Sequence, residues 1–239
     1  MKHRRAIFNR RRDVAKLFTK LSKSWYKASL RREIAAPAAT TSPEELSRQE
    51  SLNSNLNLWD IPDIDSEILT PERLGKLHAD LPRKMKSRKM DLLYSSAEHG
   101  FSLNTLFRQC RDMGPSVMVI QDQTGCVFGG FASEFWRPEK GYFGTGESFV
   151  FTFHPHYRRF AWRGAETNSF FLYADQKGLG MGGGGDGYAF WIDSTFKFGS
   201  SHKSATFNNF ELTDESEFIC VNMEVWGFEL PVRRRKVYS

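Results

Sequence analysis

The chain has 239 residues, which allows one ordinary domain with appendages, and its 21 Phe and 6 Trp supply ample material for a core. No apolar run reaches the roughly 18 residues a membrane-spanning helix needs, and the first residues lack the apolar stretch of a secretory leader, so neither is expected. The net charge of +6 is carried by the ends: residues 1–35 hold 12 Lys and Arg against 2 acids, residues 233–236 read Arg-Arg-Arg-Lys, and residues 36–232 hold 18 basic against 26 acidic side chains. An acidic body with basic ends does not imply a nucleic-acid-binding fold, and no specific nucleic acid is expected as a partner.

The first predicted element is a basic amphipathic helix within residues 1–35. Val14, Leu17, Phe18, Leu21, Trp25 and Ala28 fall within an arc of about 100° at the helical period. Lys16, Lys20, Lys23 and Lys27 fall on the opposite side. Such a helix suits an anionic membrane surface (residues 12–28), a mitochondrial presequence, an acidic partner, or the chain's own acidic domain. The expected location is therefore cytoplasmic or mitochondrial, peripheral on membranes. Residues 36–66 read as a disordered linker: Ala-Pro-Ala-Ala-Thr-Thr-Ser-Pro is followed by Ser- and Asn-rich sequence that cannot bury enough surface to order itself.

The compact domain is expected over residues 67–230, followed by a basic tail at 231–239. Thr70-Pro71-Glu72 is a helix start: a capping hydroxyl, a proline at the first position and an acid at the positive end of the dipole. Leu69 and Leu74 can close a hydrophobic staple, and Pro82 ends the helix at Leu81. Asp91–Ser95 is strand-like. Ser102 then caps a second helix whose Leu103, Leu106, Phe107 and Cys110 share a face, and Gly114-Pro115 stops it. Beyond Pro115 the pattern is β. Strands are predicted at Val117–Gln121, Cys126–Ala132, Glu147–Phe153, Phe170–Ala174, Tyr188–Asp193, Thr195–Phe198 and Phe218–Phe228, with a hairpin at Asp122-Gln123-Thr124-Gly125. The predicted fold class is α+β: two antiparallel β-sheets packed as a sandwich with flanking helices.

Three acids are candidate catalytic groups. In the strand Phe218–Phe228, strict alternation puts Ile219, Val221, Met223 and Val225 on an aliphatic core face and Glu224 on an aromatic face with Phe218, Trp226 and Phe228. Glu147 shares the parity of Phe149, Phe151 and Phe153. A carboxylate among aromatic rings must be paired, hydrogen-bonded or raised in pKa. Glu147 and Glu224 could act as general acid and base, with Asp186 as a third acid. They could equally accept backbone N–H bonds that lock glycine-rich loops, such as Gly144-Thr145-Gly146.

The run Gly182-Gly183-Gly184-Gly185-Asp186-Gly187 fits neither nucleotide-binding glycine spacing and leads into a strand, so a turn with close backbone packing is expected instead of a phosphate cradle. Of His99, His154, His156 and His202, the pair His154-Pro155-His156 offers two metal ligands with no third at a recognised spacing. Cys110, Cys126 and Cys220 are far apart, with no Cys-x-x-Cys; they read as reduced, buried thiols without an activating environment. No nucleophile motif is present. No metal or other cofactor is expected.

Several segments together resemble the TLDc domain family: Leu92-Leu93-Tyr94-Ser95, His99-Gly100-Phe101-Ser102-Leu103, Phe128-Gly129-Gly130, Gly144-Thr145-Gly146-Glu147-Ser148, Gly183-Gly184-Gly185-Asp186-Gly187, Ser204-Ala205-Thr206-Phe207-Asn208 and Glu224-Val225-Trp226-Gly227-Phe228. The resemblance covers roughly residues 67–229 and is nearest to the short oxidation-resistance members. It implies two antiparallel sheets with helices, a non-enzymatic role in protection against oxidative damage, and binding to subunits of the vacuolar-type proton ATPase (V-ATPase). The competing reading is an enzyme that uses Glu147 and Glu224 on small oxidised substrates.

Overall fold

The computed structural model describes residues 64–164 and 167–229. The amphipathic helix, most of the linker and the basic C-terminal tail expected from the sequence lie outside the described residues. The first element is helix α1 (Pro71–Asp80). Thr70 caps it, accepting a hydrogen bond from the Arg73 amide at 3.3 Å, and Leu69 and Leu74 are both buried as the staple requires. Leu81, ahead of Pro82, is its C-cap. A short α2 (Arg83–Lys86) leads to β1 (Met90–Ser95), then α3 (Ser96–His99) and α4 (Leu103–Cys110). Ser102 caps α4 through the Thr105 amide at 3.3 Å, and Leu103, Leu106 and Cys110 are buried.

Nine further strands follow: β2 (Ser116–Asp122), β3 (Val127–Ala132), β4 (Phe149–Thr152), β5 (Arg158–Ala161), β6 (Leu172–Ala174), β7 (Gly178–Met181), β8 (Phe190–Asp193), β9 (Phe198–Ser200) and β10 (Glu217–Phe228). All pairings are antiparallel. The class is α+β, as the pattern predicts. Hydrogen bonds trace one open path of nine strands, β5-β4-β3-β2-β10-β9-β8-β7-β6, and β1, paired with β10 off that path, completes the ten-stranded sheet. The strands β5 and β7 are not among those the pattern predicts. β7 is Gly-Leu-Gly-Met, and its glycines admit close packing on β8: a Cβ on Gly178 would lie 2.2 Å from the Ile192 carbonyl oxygen. The segment expected as a strand at Thr195–Phe198 is mostly turn, with Phe196 at φ 56°, and the strand β9 begins at its last residue.

Two apolar clusters lie on opposite faces of the sheet that carries β2. Met118 and Ile120 belong to one, Val117 and Val119 to the other. The second is covered by Leu74 and Leu77 of α1. The first joins both halves of the strand path: Phe128 of β3 meets Phe218 edge-on at 5.0 Å and Phe190 of β8 at 6.2 Å. Gly130 permits that approach, since a Cβ there would sit 2.4 Å from the Met181 sulfur.

The long strand β10 departs from strict alternation. Cys220 pairs with Asp122 and Asn222 with Gln121, which leaves Val221 as an extra residue in the ladder. This bulge switches the strand's faces. Phe218 and Cys220 before it, and Met223 and Val225 after it, all enter the first cluster. Ile219 and Val221, expected in the core, are instead 48% and 55% exposed. Glu224, Trp226 and Phe228 are buried on the opposite face.

The prediction is that Ile219→Lys and Val221→Lys change stability by no more than about 0.5 kcal/mol, whereas Met223→Lys prevents folding. Thermal denaturation of the three variants checks it, and strict alternation would make all three equally damaging.

Candidate functional site

Glu224 is the candidate acid with the most developed surroundings. It sits in β10 between β2 and β1, opposite Val119 on one side and Ser95 on the other, and is 2% exposed. Its carboxylate accepts from the Ser66 hydroxyl at 2.5 Å, the Glu67 amide at 2.8 Å and the Trp226 indole N–H at 2.9 Å. Burial raises its pKa, and the three donors pull it partly back. Ser66 also accepts from the amides of Ile68 and Leu69, so the carboxylate anchors the segment that enters α1. The donors come from the chain before α1 and from β10 itself, not from a glycine-rich loop. Glu224 therefore behaves as a structural acceptor held away from solvent.

Glu147 and Asp186 are placed differently. The strand expected from Glu147 begins at Phe149, and Glu147 is an exposed residue preceding it. It lines an open cleft with Asp80, Lys86, Arg159 and Trp162. Asp186 is exposed in the glycine loop, where its amide donates to the Lys203 carbonyl at 3.1 Å. No hydrogen bond described for any of the three acids links it to another. Glu224 is buried with its oxygens engaged by internal donors, whereas Glu147 and Asp186 are exposed, so the three acids sit in different surroundings.

The glycine run occupies part of the connection between β7 and β8. It is longer than a tight hairpin and is folded onto residues 203–206. The Ala205 amide donates to the Gly184 carbonyl at 3.0 Å, and the Thr206 amide to the Gly183 carbonyl at 3.2 Å. The Gly183 amide donates to the Thr206 hydroxyl at 3.0 Å, and Asn168 Nδ2 to the Gly183 carbonyl at 3.1 Å. Gly182 needs both of its special properties: φ is +74°, and a Cβ would lie 2.7 Å from Ser204 Oγ. At least the Gly182, Gly183 and Asp186 amides are thus engaged within the protein, unlike the converging free amides of a phosphate cradle.

Beside this loop lies an aromatic surface that the strand pattern does not reveal. Tyr142 and Phe170, each 37% exposed, stack at 4.3 Å. Tyr173, Tyr188 and Trp191 extend the group, with centroid distances of 5.1–6.2 Å between neighbours. The residues come from three segments, so only their shared aromatic character hints at the grouping. A patch of partly exposed rings at a rigid loop is suited to contact with another protein.

The histidines also separate. His99 packs on Tyr94 with ring centroids 5.5 Å apart, accepts at Nδ1 from the Ser95 amide at 3.1 Å and meets Gln109 Nε2 through its own Nε2 at 2.9 Å, a local role at the end of α3. His202 lies against Gly187. His154 parts from His156 and instead gains two partners that sequence spacing did not offer, Cys126 and Asp214. The three thiols are free and buried. Burial pushes Cys110 and Cys220 up to about 12, which keeps them protonated at neutral pH. Cys126 is also raised, first by burial.

Removing the Glu224 acceptor gives a direct test. Glu224→Gln should cost about 1–3 kcal/mol, since an amide cannot accept from all three donors and turns its own N–H groups toward one of them. The pH dependence has a defined sign. A carboxyl whose folded pKa is raised contributes stability that is fully present below its unfolded value and is lost as pH rises through the folded one. Wild type should therefore gain over Glu224→Gln as pH falls from 7 towards the ordinary carboxylate range, read as a widening gap in Tm.

Comparison with known proteins fits this geometry. Residues 63–229 match the model of the TLDc domain. Oxidation resistance protein 1 of Rattus norvegicus is 41% identical over 165 residues, which is 69% of this chain and 19% of the rat protein. The Homo sapiens protein of the same name is likewise 41% identical over 165 residues, again 69% of this chain and 19% of its own length. Nuclear receptor coactivator 7 of Homo sapiens is 36% identical over 165 residues, 69% of this chain and 17% of that protein. The chain thus spans less than a quarter of the length of these curated relatives. The match over residues 63–229 spans every described residue, and the chain belongs to the TLDc domain family.

Proposed function

We propose that this protein protects against oxidative damage without catalysing a reaction, by binding subunits of the V-ATPase and regulating that pump. The oxidative role draws on relatives named for oxidation resistance. The observation that carries the binding mechanism is the exposed Tyr142–Phe170 pair on its rigid glycine-loop support. The alternative of carboxylate catalysis has less to stand on, because Glu224 is committed to three internal donors while Glu147 and Asp186 lie in separate exposed loops. We further read the two halves of the strand path as layers of a sandwich, on the strength of the Phe128–Phe190 contact.

Affinity capture from cell lysate with the full chain tests the binding proposal. V-ATPase subunits should be recovered at physiological salt, and Tyr142→Ser combined with Phe170→Ser should reduce recovery at least about tenfold, the loss of a typical interface anchor, with little change in Tm. Recovery of no pump subunit overturns the proposal.

The basic helix expected at residues 12–28 is proposed to hold the protein at the periphery of a membrane, cytoplasmic or mitochondrial, because it combines lysines with an aromatic and aliphatic face. Leu21→Asp should move the full chain from the membrane to the soluble fraction on flotation. An unchanged distribution counts against that role.

A further inference from the structure

We propose that Cys126, His154 and Asp214 form a binding site for a single zinc ion, with three protein ligands and a fourth position open to solvent. Their ligand atoms all lie within 4.8 Å of one another, and this is a convergence of three chain segments that no spacing in the sequence announces. His154 Nε2 is 2.6 Å from Asp214 Oδ1, and Cys126 Sγ donates to Asp214 Oδ2 at 3.6 Å. Ligand atoms around a tetrahedral zinc, with bonds of roughly 2.0–2.3 Å, stand about 3.3–3.8 Å apart. Reaching that spacing requires the imidazole and carboxylate to separate slightly and the imidazole to swing toward the sulfur. Side chains of His154 and Asp214 that are 40% and 51% exposed have the rotamer freedom to do so.

The backbone beneath the three groups is fixed. Cys126 closes the β2–β3 turn, where buried Asp122 accepts from the Cys126 amide at 2.9 Å and from the Thr124 amide at 2.9 Å. The Phe153 amide donates to the Val127 carbonyl at 2.8 Å, so the residues next to His154 and Cys126 are tied directly together. The hydroxyl of Thr152, fully buried, accepts from the His154 amide at 3.0 Å and donates to the Leu212 carbonyl at 2.8 Å, which pins the segment carrying Asp214. A site assembled on such supports loses little entropy on binding.

The donor set selects the metal class. A thiolate, an imidazole and a carboxylate together suit zinc better than magnesium or calcium, which prefer oxygen alone. Binding displaces the Cys126 thiol proton, and the thiolate and carboxylate then balance the charge of the ion. The order of contacts argues against a nucleophilic cysteine. In a triad the imidazole stands between the nucleophile and the acid, whereas here the carboxylate stands between the thiol and the imidazole.

The test uses the untagged full chain and the metal alone. Titration with Zn²⁺ against a chromogenic chelator should give one bound equivalent, and Co²⁺ should produce a thiolate-to-cobalt charge-transfer band. Cys126→Ser should abolish that band. His154→Ala and Asp214→Ala should each weaken Zn²⁺ binding at least about tenfold while leaving the metal-free Tm unchanged. The two half-exposed positions keep the test decisive if the serine variant folds poorly. Absence of stoichiometric binding overturns the proposal, as does binding that His154→Ala and Asp214→Ala leave intact.

Discussion

The described fold turns on one extra residue in one strand. Among the described residues, β10 is the only strand shared by both halves of the sheet path, pairing with β9 through Glu217–Ile219 and with β2 through Cys220–Gly227. Without the bulge at Val221, a strand of twelve residues would keep one parity along its length. Either Phe218 and Cys220 or Met223 and Val225 would then leave the apolar cluster that joins the two halves. Phe218, Met223 and Val225 each contribute about 1.5–3 kcal/mol when buried, so the switch of faces outweighs the one ladder position it sacrifices. Two side chains are left exposed as the consequence, Ile219 and Val221.

The same switch explains the burial of Glu224. Having moved to the opposite face with Trp226 and Phe228, it lies under the chain that enters α1. A buried carboxylate is tolerated only where donors replace water. Here Ser66, Glu67 and Trp226 do so, and in return the carboxylate fixes the start of the helix that covers the second apolar cluster. Asn222 reinforces the link, donating to Glu67 Oε2 at 3.0 Å and accepting from Ser96 Oγ at 2.7 Å. An acid that resembles a catalytic group in sequence is thus part of how the helical layer is attached.

With the strands and α1 fixed in this way, chemistry is left to the loop ends. Thr152 holds the segments of His154 and Leu212 together, and Asn168 and Thr206 hold the glycine loop against its neighbour. These are buried or half-buried polar side chains that each satisfy several backbone groups. They give rigid support to an aromatic surface on one side and to the thiol, imidazole and carboxylate group on another.

Local signals in the sequence determined the helices at Thr70-Pro71 and Ser102, the hairpin at Asp122–Gly125, the antiparallel class and the buried state of the cysteines. Each depends on interactions within a few residues or on composition, which the order of side chains encodes directly. Family membership was also legible, since glycines of the quoted motifs such as Gly130 and Gly183 mark backbone positions where a side chain would clash. Tertiary structure alone decided the face of Glu224, the exposure of Glu147 and the meeting of Cys126, His154 and Asp214. A bulge inverts parity without any composition signal, a strand's first residue depends on its partner, and residues 28 and 60 positions apart along the chain become neighbours only through the sheet register.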